Sequence, residues 1–370
     1  MAITISKEPL GTVLNAYNNS IIEFSTDVGT PARALIIIDD FTFEITPNNG
    51  LFYFNLKEIV KAIINEDNFS DTIAISNPAT FVYPDAKLYK EISFDITVIK
   101  TNGTSETLNK TYNYFKSTKQ IVRKIFTEND LIKILSPSSS IINYVTYFEG
   151  LPFDVAIYSN SARIITITNK RTLNSTTVNL VKGVNRLFLS NGENDNLGFE
   201  NSLPLITGVN ELELEVDVSN KLTLFVNKKE VECGVYLKWF NQNGSWSYWK
   251  FHPTYSESVK TKELEEINSD FYNNNEIVSR LQQMGKEATK TLTLLSGELD
   301  IYEVEVVSQI FTSPKVFYYN NQELQPFQLT DWKGVKINSS NQELRNTKQK
   351  LTQYKINIEL PEMYTQTYAS

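Results

Sequence analysis

The run Cys233-Gly-Val-Tyr-Leu-Lys-Trp-Phe-Asn-Gln-Asn-Gly-Ser-Trp-Ser-Tyr-Trp-Lys-Phe251 decides how this chain is read. Two short segments rich in aromatic and β-branched residues flank Asn243-Gly244, the strongest short-range signal for a β-hairpin. Three of the four tryptophans, Trp239, Trp246 and Trp249, fall within it. A two-residue turn at Asn243-Gly244 sets Trp239 opposite Tyr248 and Tyr236 opposite Phe251. A loop over residues 241–244 instead sets Trp239 opposite Trp246 and Leu237 opposite Tyr248. Either register stacks aromatic side chains across the strands, each pair adding roughly 0.2–1 kcal/mol beyond its burial. Trp246 and Trp249 are three apart, so on a regular strand they point to opposite faces. Burial on both sides explains that better than an exposed platform for sugar rings or a partner protein. Tyr236, Trp239, Gly244, Trp246, Tyr248, Trp249 and Phe251 are therefore the candidate structural-hairpin or interface residues.

Working back from the hairpin, residues 142–251 read as a series of short strands with Asn and Gly turns. The expected strands are 144–148, 153–158, 164–168, 176–181, 186–189, 212–216 and 222–226. Seven or more short strands closed by a hairpin predict a β-sandwich. Residues 191–208 form a long polar loop, a type of segment that often carries contacts or function.

Upstream, the apolar run at 35–38 breaks at Asp39-Asp40, and Phe41, Phe43 and Ile45 then alternate with polar residues, predicting a strand pair with one buried face. Asn55 with Glu58 three residues on predicts a capping box. Leu56, Ile59, Val60 and Ile63 then follow at helical spacing. Ile92, Phe94, Ile96 and Val98 alternate through the clearest strand, and Asn102-Gly103 turns it back toward Tyr112 and Tyr114. A helical stretch over about 120–135 leads to the polar cluster Ser136-Pro-Ser-Ser-Ser140, the expected first boundary.

Downstream, the charged run at 260–267 and the helix-prone 276–284 predict one or two bridging helices. Strands are expected again at 291–295, 302–307, 315–319, 334–337 and 354–360. The fold class is thus mainly β, a multi-domain β-sandwich architecture with a few short helices. Three units are expected: 1–135, 136–255 ending in the Trp-rich hairpin, and 256–370.

At 370 residues the chain is too long for one ordinary core. A net charge of −8, with only seven arginines among 35 basic residues and no basic stripe, speaks against a nucleic-acid groove. The single cysteine, Cys233, excludes an intrachain disulfide and a secreted disulfide scaffold. The first residues show no signal-peptide pattern, and no apolar run nears the 18 or so residues of a membrane span. The expected location before assembly is therefore a cytoplasm.

His252 is the only histidine and has no Cys or His partner for a zinc site. Asp39-Asp40 and Glu303/Glu305 are the tempting carboxylate pairs for glycoside hydrolysis, but charges on turns and strand edges are commonly solvated and discourage edge pairing. Cys233, beside aromatic residues and without a neighbouring base, reads as a small buried hydrophobe. No phosphate loop, nucleophile elbow or dinucleotide fingerprint is present. No catalytic residue, metal site or cofactor is expected, and the protein reads as a non-enzyme.

The hairpin, written Tyr-Leu-Lys-Trp239 … Gly-Ser-Trp-Ser-Tyr-Trp-Lys-Phe251, resembles a signature of tail or baseplate virion proteins of tailed bacteriophages that infect Bacteroidota-type hosts. Asn15-Ala-Tyr-Asn-Asn-Ser-Ile-Ile-Glu-Phe24 with Gly50-Leu-Phe-Tyr-Phe-Asn-Leu-Lys-Glu-Ile-Val60 is similar to the same group. So is Thr312-Ser-Pro-Lys-Val-Phe-Tyr318 with Trp332-Lys-Gly-Val335 and the strand at 354–360. These islands touch all three expected units without joining end to end. The resemblance implies a structural protein of the virion tail that forms a cyclic, ring-like homo-oligomer and binds neighbouring tail or baseplate proteins. It implies no catalytic residues, nucleic acid or membrane. The alternative is a receptor- or glycan-binding module of the same particle, using an exposed aromatic platform toward the host.

Overall fold

Strict alternation builds the first unit. Along Tyr89–Lys100, Ile92, Phe94, Ile96 and Val98 are buried while Glu91 and Ser93 are exposed. The period of two puts these four apolar side chains on one face. This strand pairs with Ser105–Phe115 across the Asn102-Gly103 turn and with Pro31–Ile38 on its other side. Val13–Asn15 and Phe41–Ile45 complete a five-stranded sheet. Hydroxyl pairs on its outer face, Ser93 with Thr111 and Thr97 with Thr107, hold the register. A three-stranded sheet of Ile3–Lys7, Ile21–Thr26 and Phe52–Asn55 shares its core, where Phe24 stacks on Phe52 beside Ile36 and Ile96.

The computed structural model describes residues 3–26, 30–75, 80–119, 126–127, 129–135, 142–192, 199–230, 233–268, 281–320, 327–338, 343–344 and 351–366. Within it the helix Lys57–Ile64 seats Val60 and Ile64 in that first core. Its start differs from the expected capping box. Asn55 Oδ1 does accept from the Lys57 and Ser20 amides, but Glu58 pairs with Lys61 instead of reaching back. Helix entry is thus fixed by one Asn side chain that also ties down the preceding loop.

The seven expected central strands all form, as Asn143–Phe148, Phe153–Ser159, Arg163–Asn169, Ser175–Leu180, Gly183–Ser190, Gly208–Asp217 and Asn220–Lys229. They divide between a five-stranded and a four-stranded sheet. Val155, Ile157 and Leu187 from one sheet and Ile165, Leu212 and Leu224 from the other share a core, so the unit is a sandwich. The four-stranded sheet borrows both of its outer strands from the stretch before it. Val82–Pro84 and Ile132–Ile134 flank Gly183–Ser190 and Phe153–Ser159. Residues 132–134, expected as helix, are therefore strand, recruited by backbone pairing that overrides local propensity. Residues 120–125 and the polar cluster at 136–140 lie outside the described residues. Part of the polar loop after Asn191 is the short helix Phe199–Ser202, whose Phe199 is buried against the sandwich.

The last stretch is organised around the hairpin. Val235–Phe240 and Trp246–Phe251 form one end of a seven-stranded sheet continued by Val316–Tyr319, Trp332–Ile337, Lys355–Glu359, Lys286–Leu295 and Ser256–Glu263. The expected boundary at 255 thus falls inside this sheet, because the free edge of Val235–Phe240 is taken by Val316–Tyr319. Two further expectations change. The bridging helices are strands: Ser256–Glu263 pairs with Lys286–Leu295, and Glu266–Asn268 with Leu281–Gln283, while residues 269–280 lie outside the described set. Residues 302–307, expected as strand, lie instead in the helix Ile301–Val307, since Asp300 accepts from the Tyr302 and Glu303 amides and Glu303 reaches back to the Asp300 amide. That capping box outweighs the β-branched residues that follow it.

Candidate functional site, a buried charge cluster behind the hairpin

The hairpin register is neither of the two expected. Phe240 faces Trp246, Trp239 faces Ser247, Lys238 faces Tyr248 and Leu237 faces Trp249, leaving a five-residue loop, 241–245. Asn241 sets the loop length. Its Oδ1 accepts from the Asn243 and Ser245 amides, and its Nδ2 donates to Ser245 Oγ and Ser247 Oγ. Gly244 sits at φ +82°, and a Cβ there would stand 2.9 Å from the Lys116 carbonyl oxygen. The loop tip is therefore pressed against the exit from the first unit, and the Thr118 amide donates to the Gln242 carbonyl.

All of the hairpin's aromatic residues are buried: Trp239 is 0% exposed, Trp249 3% and Trp246 5%, with Tyr236, Tyr248 and Phe251 similarly enclosed. The alternation separates two faces. Val235, Leu237, Trp239, Trp249 and Phe251 share one. There Trp249 packs edge-on against Phe148 and donates its Nε1 to the Ser296 carbonyl. Tyr236, Lys238, Phe240, Trp246 and Tyr248 share the other, which meets the first and central units. Phe240 packs against Phe69, Tyr248 against Phe153, and Tyr236 donates its hydroxyl to the Pro152 carbonyl.

That second face encloses a cluster of charge that sequence reasoning missed. Arg186, on the central strand Gly183–Ser190, is fully enclosed. Its Nε and Nη2 donate to the two carboxylate oxygens of Asp154 at 2.9 and 2.7 Å, and its Nη1 donates to Asp71 at 2.6 Å. Asp85 lies 3.6 Å from the same guanidinium. Lys238 donates to the other oxygen of Asp71 at 2.9 Å and lies over the Trp332 ring at 4.1 Å, with Trp246 and Phe317 at 5.0 and 5.2 Å. The Tyr248 hydroxyl donates to Asp154. Asp71 and Asp85 come from the chain between the first unit's helix and its long strand, Asp154 and Arg186 from the central sandwich, and Lys238 and Tyr248 from the hairpin. Three parts of the fold thus converge on one guanidinium.

The electrostatics follow from burial and pairing. Burial alone would raise the Asp71 carboxyl, but Arg186 and Lys238 beside it hold it below the usual carboxylate range. Burial would lower Arg186, and Asp154 and Asp71 raise it well above its ordinary value. Asp85 is pushed up by burial, with Arg186 only partly opposing. Lys238 is lowered by burial despite Asp71, and Tyr248 is raised by burial and then by Asp154. The two cations carry less charge than the three carboxylates around them, and Asp85, held most loosely, is the group that takes the strain. A cavity of about 10 Å³ between Asp154, Thr146 and Tyr248 admits a single water. Chemically the cluster is a clamp, since its carboxylates are held by cations and its basic groups are charged or enclosed.

The other singled-out residues lie elsewhere. Asp39 and Asp40 are exposed in a turn, with Asp39 at φ +48°. Glu303 is buried in its capping box and accepts from Lys229 at 2.6 Å, tying the helix to the central sheet, while Glu305 is half-buried on the same helix. His252 is exposed, and its Nδ1 accepts from the Thr254 amide. Cys233 is exposed and not buried as expected, because it precedes the strand instead of joining it. The signal for the cluster was faint: a lysine in the middle of an aromatic strand, and an arginine inside an otherwise apolar one.

The fold and this cluster define a mainly β protein of several sheets whose parts are joined by buried ion pairs. No family model matches the chain, and no curated protein matches it. Among solved structures, a chimeric titin Z1Z2-Z1Z2 tandem is similar over 62% of this chain and 100% of its own, at 10% identity and a TM-score of 0.19. A bacterial ice-binding adhesin covers 80% of this chain and 92% of its own at 10% identity, with a TM-score of 0.19. The E. coli alpha-2-macroglobulin covers 79% of this chain and 21% of its own at 8% identity, with a TM-score of 0.20. Likeness at this level supports no inference about function.

Proposed function

We propose that this chain is a non-enzymatic structural component of a phage tail or baseplate that assembles as a cyclic homo-oligomer and binds neighbouring tail proteins. The resemblance at the hairpin supports the location. The observation that carries the assembly part is the ribbon Ser256–Glu263. Every residue of that strand is exposed, and it is the outermost strand of its sheet. It pairs with Lys286–Leu295 on one side only, and the chain continues into the tip pair Glu266–Asn268 with Leu281–Gln283. An open edge is a template for another chain. Contact with a neighbouring subunit would give it the cover it lacks.

The buried cluster fits the same reading, because a part that bears load profits from units that cannot hinge apart. The receptor-binding alternative needs an exposed aromatic platform, and the enclosed hairpin does not offer one.

The test is light scattering coupled to size exclusion on the full chain and on a trimmed variant. In the variant, residues 261–288 are replaced by Asn-Gly, which closes the paired residues Lys260 and Thr289 with a two-residue turn. Wild type should form a defined oligomer, and the trimmed chain a monomer with nearly unchanged melting. A monodisperse wild-type monomer at high micromolar concentration would overturn the assembly reading.

A further inference from the structure

The first unit has an open edge of its own. Phe41–Ile45 ends its five-stranded sheet and pairs with Pro31–Ile38 on one side only. Alternation puts Phe41, Phe43 and Ile45 on the inner face, the side of buried Ile36 and Ile38, and Thr42 and Glu44 on the outer one. The inner row is not closed over. Phe41 is 50% exposed and stacks on Phe43 at 6.4 Å, and Phe43 packs on Phe54 of the facing sheet at 5.6 Å. The edge is also acidic. Asp39 and Asp40 are exposed in the turn before it and form no ion pair among the described residues, while Glu44 is paired with Arg33 at 3.2 Å.

The exposed strand Ser256–Glu263 carries the complementary pattern. Its glutamates are neutralised within its own ribbon, Glu257 by Lys290 at 2.5 Å and Glu263 by Lys286 at 3.6 Å. Lys262 is held loosely by Glu287 at 3.5 Å, and Lys260 forms no ion pair among the described residues. Both lysines share one face of the strand, and Val259, 58% exposed, lies on the other. Antiparallel pairing with Val259 opposite Phe43 sets Lys260 opposite Thr42, with Asp40 and Glu44 on its diagonals, and Lys262 opposite Asp40. Opposite and diagonal neighbours on one face are within reach of a lysine side chain. The same pairing lays Val259 against the uncovered phenylalanines.

We propose that Ser256–Glu263 of one copy of this chain adds as an extra strand along Phe41–Ile45 of a second copy. Backbone pairing supplies the attachment, and the alternating charge and apolar contacts set the register. The inference rests on the assembly reading above and adds to it which two surfaces meet. Because those surfaces differ, the contact is head-to-tail and leaves each copy one free ribbon and one free edge. A contact of that kind generates a ring when its rotation closes.

Light scattering coupled to size exclusion on the double variant Asp40→Lys/Thr42→Lys tests it, since both positions are exposed and the new charges would face Lys260 and Lys262. The variant should need about tenfold more protein than wild type to assemble, or more, with an unchanged far-UV circular dichroism spectrum. Mixed with the trimmed chain, which keeps Phe41–Ile45 and lacks most of the ribbon, it should form a one-to-one heterodimer and nothing larger. Amide exchange of wild type at low and high concentration does not depend on any variant folding. There Phe41–Ile45 and Ser256–Glu263 should gain protection together. A wild-type monomer at high micromolar concentration would remove the assembly reading and this one with it. Three results would overturn the docking alone and leave the assembly standing: an oligomer that survives Asp40→Lys/Thr42→Lys, a mixture that stays monomeric, or protection gained only by the ribbon, as two ribbons pairing with each other would give.

Discussion

Removing Arg186, Asp71 or Lys238 should give three very different losses, and the order follows from who is left without a partner. Arg186→Met strands Asp154, Asp71 and Asp85 together, with only Lys238 and Tyr248 to hold them. Deleting one member of a buried pair costs about 3–5 kcal/mol, and here three carboxylates lose their shared cation, so the upper end or failure to fold is expected. Asp71→Ala leaves Lys238 enclosed among Trp246, Phe317 and Trp332, while Arg186 keeps Asp154; about 3 kcal/mol follows. Lys238→Met is mildest, at about 1–2 kcal/mol, because Met fills the aromatic slot and Asp71 retains Arg186 at 2.6 Å. The Asp71→Ala/Lys238→Met double variant should lie well short of the sum, since neither leaves the other's charge buried alone. Urea unfolding of wild type and the four variants, followed by tryptophan fluorescence, gives the midpoints and slopes. If Lys238→Met proved as damaging as Arg186→Met, or Asp71→Ala were silent, the clamp reasoning would be wrong.

Three further outcomes follow from the same geometry. Trp239→Ala should cost about 3–5 kcal/mol, whereas Trp239→Phe should cost clearly less, since the buried indole Nε1 has no hydrogen-bond partner to lose; thermal melting that ranks them equally would contradict this. Gly244→Val should lower the melting temperature sharply, because φ is +82° and the new Cβ meets the Lys116 carbonyl, while Gly103→Ala, in open space at φ +82°, should show only backbone strain. The pH dependence carries two opposite signs. Asp71 is held below its unfolded value, so its contribution is full above about pH 4 and fades as acid protonates it. Asp85 is raised, so it opposes folding at neutral pH and that opposition fades on acidification. Asp85→Asn should therefore remove the part of the stability profile that rises on acidification, and superimposable urea midpoints for wild type and variant at every pH from neutral into the acid range would refute it.

How much was legible in the sequence depended on whether a segment's partner lay nearby. Residues 92–98 and the seven central strands were readable because alternation and Asn-Gly turns are local signals. The hairpin was found but its register was not, since the decisive contacts belong to the Asn241 side chain and the Lys116 carbonyl, which the Asn-Gly rule does not weigh. Residues 132–134 and 256–263 were misread because their strand partners lie far along the chain, at 157–159 and 286–293. Residues 302–307 went the other way, as the local capping box at Asp300 outweighs the Val content. The Arg186 cluster was nearly invisible. Its members span Asp71 to Tyr248, and nothing in the order of residues announces that a lysine inside an aromatic strand will meet an aspartate 167 positions away.

The shared core has a consequence for how the chain is made. The first unit's own core closes with Tyr114 and is complete once residues up to about 115 have emerged, so it is able to fold while the rest is still being synthesised. The central and C-terminal strands cannot do the same. Asn143–Phe148 pairs in parallel with Asn220–Lys229, and the hairpin's sheet waits for Lys355–Glu359, far along the chain from the hairpin. Until Gly183–Ser190 and the hairpin are in place, Asp71 and Asp85 hang from a finished domain with no guanidinium or ammonium beside them. A chain released before Lys355–Glu359 would thus keep one sound domain and leave the hairpin's sheet without that strand, a route to aggregation.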